Sequence, residues 1–126
     1  MGKAAPAPTR VEVVRDRGEV EIHWTDGHRS VFPTRYLRGF CPCAVCQGHA
    51  PGSWTFVEAP PPMDVTRIEE VGLYALQIKW SDGHDTGIYS WGVLRELCPC
   101  DPCQDAIGPG HAMRAFPDAQ PPLPTP

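Results

Sequence analysis

No stretch of this 126-residue sequence approaches the roughly 20 consecutive apolar residues that a membrane-spanning helix needs. Basic charge is also scarce. Lys and Arg total 11 against 15 Asp and Glu, a formal net charge of -4. Such a chain has no basic field to hold phosphate backbones, which argues against nucleic acid as a partner. Neither a membrane nor a nucleic acid is therefore expected as a partner. Met1 to Thr9 carries one lysine and no apolar segment. A secretory leader is not expected there, and the chain is assigned to the cytoplasm. No phosphate-binding glycine loop and no paired nucleophile and base are legible, so the expectation is a protein that is not an enzyme.

Punctuation, by contrast, is abundant: 16 prolines and 12 glycines. That is too many breaks for a helix bundle and suits short strands and turns. The two ends, 1–9 and 117–126, are rich in Ala and Pro or in Pro alone and are expected to be disordered tails. A single domain is expected over 10–116, with Pro60-Pro61-Pro62 as a stiff connector near its middle. A domain of this size buries only about two-thirds of its unfolded surface, so its margin of stability is small.

The halves on either side of that connector repeat each other, at about 10–50 and 65–105. The first contains Ile22-His-Trp-Thr-Asp-Gly-His28, Leu37-Arg38 and Cys41-Pro-Cys-Ala-Val-Cys46-Gln47. The second contains Ile78-Lys-Trp-Ser-Asp-Gly-His84, Leu94-Arg95 and Cys98-Pro-Cys-Asp-Pro-Cys103-Gln104. His84 follows His28 by 56 positions and Cys98 follows Cys41 by 57, so one residue is inserted between the motifs. Order, identity and spacing together indicate two pseudo-symmetric units.

Each unit follows one pattern. Val11–Val14 and Glu19–Trp24 alternate apolar and polar residues, as half-buried strands do. Thr66–Val71 and Leu73–Trp80 are their counterparts. Asp26-Gly27 and Asp82-Gly83 signal tight turns, and the chain returns through Ser30–Phe32 and Gly87–Tyr89. Thr34–Arg38 and Ser90–Leu97 each begin with a residue suited to an N-cap and span about two helical turns. Each leads to a cysteine followed by proline. The expected fold is α+β: a small, mainly antiparallel β domain built from two strand–turn–strand–short helix–Cys-loop repeats. Trp24 and Trp80 fall on the inward phase of their strands and are expected in the core.

The cysteines carry the chemistry. In a reducing compartment, six cysteines point to metal or redox chemistry before disulfides. Thiolates are soft anionic ligands suited to Zn²⁺ or to iron–sulfur clusters. The C-x-C-x2-C spacing lets three sulfurs from one loop converge on one ion. A closed tetrahedral site needs a fourth donor, and histidine is the natural one. The plainer readings are buried apolar cysteines, a transient redox triad, or a histidine that merely bonds its own turn. Two triads in register with two Asp-Gly-His motifs weigh against all three. His28 lies 13 residues before Cys41, and His84 lies 14 before Cys98. Spacing leaves pairing within a repeat and pairing across repeats both open. His23, His49 and His111 have no counterparts and are expected at the surface or in packing. Asp26, Asp82 and Asp85 are expected as turn residues.

The segment Val71–Trp91, above all Ser81-Asp-Gly-His-Asp-Thr-Gly-Ile-Tyr-Ser-Trp91, closely resembles the DUF971 family, also called the gamma-butyrobetaine hydroxylase-like N-terminal domain. Trp24–His28, Tyr36–Arg38 and Gly48–Gly52 fit its first half, and the resemblance runs from about residue 10 to 105. In the carnitine-pathway hydroxylases that domain precedes an iron and 2-oxoglutarate oxygenase domain and holds a zinc. The resemblance implies that Cys41, Cys43 and Cys46 share a metal with His84, the arrangement that crosses between repeats. By pseudo-symmetry, Cys98, Cys100, Cys103 and His28 are candidates for a second site, although a second triad is unusual for the family. No H-x-D motif with a distant histidine follows, so hydroxylase activity is not implied. Members also occur fused to iron–sulfur carrier proteins, which makes cluster binding or cluster transfer the alternative. The expected function is a non-catalytic zinc-binding module that acts through a protein partner.

Overall fold

The computed structural model describes residues 6–47, 54–59 and 63–117. Three short strands form each half: β1 (Pro8–Val14), β2 (Glu19–Trp24) and β3 (Arg29–Pro33), then β4 (Val65–Val71), β5 (Ala75–Trp80) and β6 (Gly87–Ser90). Each set makes its own antiparallel sheet, in the orders β1-β2-β3 and β4-β5-β6. The helices are α1 (Thr34–Gly39) and α2 (Ala44–Gln47) in the first half, with α3 (Trp91–Leu97) and α4 (Asp101–Ile107) in the second. Short 3-10 turns complete the chain at Arg15–Arg17, Gly108–Gly110 and Ala112–Ala115. No helix among the described residues is long and apolar enough to cross a membrane.

The repeat extends to details of register. Pro8 pairs with Trp24 and Val65 with Trp80, and both ladders then slip at once, between Pro8 and Arg10 and between Val65 and Arg67. The hairpin turns also coincide. The Gly27 amide bonds the Trp24 carbonyl and the Gly83 amide bonds the Trp80 carbonyl, both at 3.0 Å. These turns use φ of +85° at Gly27 and +86° at Gly83, a region that L side chains avoid. The inserted residue lies just past the second turn. Ile22 pairs with Ser30, but its counterpart Ile78 pairs with Gly87, so the second loop is one residue longer.

Inward residues of both sheets and the helices share one apolar cluster that includes Ile22, Phe32, Leu37, Ile78, Tyr89 and Leu94. Trp24 and Trp80 are both buried in it. Two tyrosines tie the halves together. The Tyr36 hydroxyl donates to the Leu97 carbonyl at 2.5 Å, and the Tyr89 hydroxyl donates to the Leu37 carbonyl at 2.7 Å. Phe116, beyond the second repeat, packs edge-on against Tyr36 and Phe56.

Several expectations are adjusted. β1 starts at Pro8, inside the segment expected as tail, and β5 starts only at Ala75 because Gly72, at φ +56°, turns the chain. Ser90 does cap α3, accepting from the Val93 amide at 3.1 Å. Thr34, however, is the first residue of α1, and Pro33 occupies the cap position without a side-chain bond. The Pro60–Pro62 connector, the Gly48–Gly52 segment with His49, and most of both expected tails lie outside the described residues.

Candidate metal centres

Each cysteine triad begins where a helix stops. α1 ends at Gly39 and α3 at Leu97, which brings Cys41 and Cys98 into the core, both fully buried. The second and third cysteines lie three apart on one helical turn, so their side chains fall on one side. In the first triad the Cys46 amide bonds the Cys43 carbonyl at 3.1 Å, and α2 grows from that turn. In the second, Cys100 is the N-cap of α4 and Pro102 stands in its first turn. Proline has no amide to leave unpaired there, so it favours a helix start. The glutamine after each triad closes the loop: Gln47 Nε2 donates to the Cys41 carbonyl at 3.1 Å, and Gln104 Nε2 to the Pro99 carbonyl at 2.6 Å.

The histidines arrive from the opposite halves. His84 Nε2 lies 3.2, 3.5 and 3.5 Å from the sulfurs of Cys41, Cys43 and Cys46. His28 Nε2 lies 3.3, 3.8 and 3.5 Å from those of Cys98, Cys100 and Cys103. In each group the four donor atoms all lie within 4.8 Å of one another. One imidazole nitrogen offers either one proton or one lone pair, so three sulfurs around it are not ordinary hydrogen-bond partners. A tetrahedral ion with bonds of about 2.3 Å to sulfur and 2.0–2.1 Å to nitrogen puts nitrogen–sulfur edges at about 3.5–3.6 Å and sulfur–sulfur edges at about 3.8 Å. The observed separations, including 3.6 Å between the Cys98 and Cys100 sulfurs, lie near those edges. The donor set therefore fits a single ion at each position.

The protons on each triad are held unequally. Burial pushes the Cys41 thiol up to about 12, and raises Cys46 with help from neighbouring Cys43. Burial acts the same way on Cys43. Hydrogen bonds from the Thr86 hydroxyl, the Cys46 amide and the flanking thiols outweigh it and bring Cys43 down to about 6. The second triad follows suit. Burial raises Cys98 and, with Cys100 alongside, lifts Cys103 to about 12. At Cys100 burial is outweighed by bonds from the Cys103 amide and the two flanking thiols, and that thiol is lowered. In each loop the middle cysteine is thus the most acidic of the three thiols.

Two charged pairs fix the histidine turns to the cysteine helices, and sequence reasoning missed them. Asp82 is a turn residue as expected, with Oδ1 accepting from the His84 amide at 3.0 Å. Its other oxygen takes two bonds from Arg38, at 3.1 and 3.0 Å, and Arg38 Nη1 reaches the Cys46 sulfur at 3.8 Å. Asp26 does the same for the His28 amide at 3.1 Å and pairs with Arg95 at 2.9 Å. Each arginine stands three residues before its triad, and each aspartate two before its histidine. The repeated Leu-Arg dipeptide was the available signal. The pairs differ in burial: side-chain exposures are 9% and 14% for Arg38 and Asp82, but 24% and 45% for Arg95 and Asp26.

The two centres also differ at their floors. Trp24 Nε1 donates to Ser30 Oγ at 2.9 Å, and Ser30 also bonds Cys98. At the matching register position stands Gly87, where a Cβ would come within 2.8 Å of the Cys41 sulfur. Trp80 Nε1 is accordingly buried without a hydrogen-bond partner among the described residues. Of the unpaired histidines, His23 is half-exposed against Glu21, and His111 is buried. His111 Nδ1 accepts from the Met113 amide, which leaves the proton on Nε2 to donate to the Cys98 carbonyl at 2.9 Å.

Residues 11–95 match the family model described as gamma-butyrobetaine hydroxylase-like, N-terminal. That segment includes Cys41, Cys43, Cys46, His28 and His84 and stops before Cys98. The chain is similar to the crystal structure of a protein of unknown function of the DUF971 family from Acidithiobacillus ferrooxidans. The two are 31% identical over 79% of this chain and 100% of that one, with a TM-score of 0.62. A solution NMR structure is 29% identical over 85% of this chain and 83% of its own, at a TM-score of 0.63. A second NMR structure, 23% identical, shares the fold at a TM-score of 0.57. No curated protein matches the chain.

Proposed function

The chain belongs to the gamma-butyrobetaine hydroxylase-like N-terminal family (DUF971), and from that footing we propose that it is a non-catalytic zinc-binding module whose ion is held by Cys41, Cys43, Cys46 and His84. The observation that carries this is the set of near-equal distances, 3.2 to 3.5 Å, from His84 Nε2 to three sulfurs. Three thiolates and one imidazole are the ligands of closed zinc sites, and four protein ligands leave no position for water or substrate. Such an ion stabilises the fold, and its binding free energy adds to folding. An iron–sulfur cluster would set several iron and sulfide atoms among its ligands and spread them wider than one shared ion does. The compact donor set favours zinc over that alternative.

The module acts through a protein partner. Leu73 and Tyr74 are 90% and 58% exposed at the β4–β5 turn, and the backbone holds them there. The Leu73 carbonyl accepts from Trp91 Nε1 and the Tyr74 carbonyl from the Trp91 amide, both at 2.9 Å. A crosslinked adduct formed in extract and lost in Leu73→Ser/Tyr74→Ser is the expected sign. An adduct that survives the substitution counts against this contact.

Anaerobic purification with a visible spectrum and metal counting tests the ion. A colourless protein containing zinc is expected. A brown protein with near-stoichiometric iron would sink the zinc assignment.

A further inference from the structure

We infer that Cys98, Cys100, Cys103 and His28 bind a second divalent ion of the same class, so that the loaded chain carries two. This centre shares no ligand with the first, and its triad lies beyond the segment 11–95 that carries the family. Its geometry stands on its own. Three sulfurs surround His28 Nε2 at 3.3 to 3.8 Å, and two of them are 3.6 Å apart, near the edges of a tetrahedron around one ion.

Side chains outside the ligand set are arranged to hold this donor group in place, as they are around working metal sites. Asp26 and Arg95 fix the His28 turn at 3.1 and 2.9 Å. His111, from the segment that follows the second repeat, is buried and bonds the carbonyl of Cys98 itself. The first triad has no histidine in that role among the described residues. The second centre thus has supporting bonds of its own, from Asp26, Arg95 and His111. On binding, each remaining thiol releases its proton to solvent as its sulfur bonds the ion, with no change in oxidation state. Each ion ties a triad from one half to a histidine of the other, so two ions fasten the halves at two points.

The test is a cobalt(II) titration of the metal-stripped, reduced full-length chain, read by thiolate-to-cobalt charge-transfer absorbance. The intact chain is expected to break at two equivalents, and Cys100→Ser/Cys103→Ser and Cys43→Ser/Cys46→Ser at one each. A single equivalent in the intact chain, unmoved by Cys100→Ser/Cys103→Ser, overturns the second site and leaves the first standing. A single equivalent abolished by Cys100→Ser/Cys103→Ser does the reverse. Absence of the band overturns both. Should a variant fail to fold, thiol alkylation mapped by peptide mass spectrometry decides on the unaltered chain. Zinc is expected to slow labelling of Cys98, Cys100 and Cys103 at least tenfold, and unchanged labelling overturns the proposal.

Discussion

Replacing Arg38 by alanine is the sharpest test of how the two halves are clamped. Arg38 is 7% exposed, and two of its nitrogens bond one oxygen of Asp82 at 3.1 and 3.0 Å. Removing the guanidinium leaves the Asp82 side chain, 14% exposed in the intact pair, with the His84 amide as its remaining hydrogen-bond partner among the described residues. Breaking a buried pair from one side costs about 3–5 kcal/mol, because the remaining charge is uncompensated. Asp82 keeps some contact with water, so the low end, about 3 kcal/mol, is expected. Arg95 and Asp26 form the equivalent pair through a single bond at the surface, where an ion pair contributes about 1 kcal/mol or less. Arg95 also lies over the Trp24 ring at 5.2 Å, which adds about 0.5–1 kcal/mol. Arg95→Ala should therefore cost about half as much as Arg38→Ala. Urea unfolding with zinc saturating gives both values. The double variant Arg38→Ala/Asp82→Ala closes a cycle whose coupling energy should exceed about 1.5 kcal/mol. Equal losses for the two arginines, or a coupling under about 0.5 kcal/mol, would refute the clamp.

The remaining expectations concern metal, protons and packing. Chelation should lower the unfolding midpoint: free zinc at 1,000 times its dissociation constant stabilises the folded chain by about 4 kcal/mol, and an unmoved midpoint would count against a folded-state ion. Cys41 and Cys46 are held above the ordinary thiol range and Cys43 near 6. An ion at the first centre must then displace about two thiol protons, and its affinity should rise about 100-fold per pH unit between about pH 6.5 and 8.5. Competition with a chromophoric chelator measures that slope, and a tenfold slope or less contradicts it. The Arg29 guanidinium holds the Glu21 carboxyl down at about 2 against an ordinary 4.5. A depressed carboxyl stabilises the fold above its ordinary value and loses that contribution as pH falls through about 2, so Glu21→Gln should flatten acid unfolding in that window. Gly87→Ala would set a Cβ 2.8 Å from the Cys41 sulfur, and should weaken the first centre by about 1–3 kcal/mol in a cobalt titration while sparing the second.

Much of the architecture was legible because its causes are local. Alternation in Glu19–Trp24 reports which residues face the core, and Asp-Gly marks a turn wherever it occurs. The short helices α2 and α4 were missed as helices because they lie inside loops punctuated by proline. The Asp26 and Asp82 pairings were missed because a turn aspartate and a distant arginine show no periodicity in common.

The sequence by itself determined the duplication, the strand pattern and the two sets of donors, since each follows from residue identity and short spacing. Which histidine faces which triad was open to spacing, was implied as crossed by the family resemblance, and is seen as a contact only in the tertiary structure. Spacings of 13 and 14 residues allow either partner. The choice depends on how two sheets share one core, with Tyr36 and Tyr89 bonded across it. The centres are also unequal. One inserted residue puts Gly87 where Ser30 stands in the other half, and leaves Trp80 Nε1 without the partner that Trp24 has. That inequality is local, Trp24 and Ser30 lying six residues apart, whereas the contact of His84 with Cys41 joins residues 43 apart, a distance over which a repeat read along one chain carries no pairing.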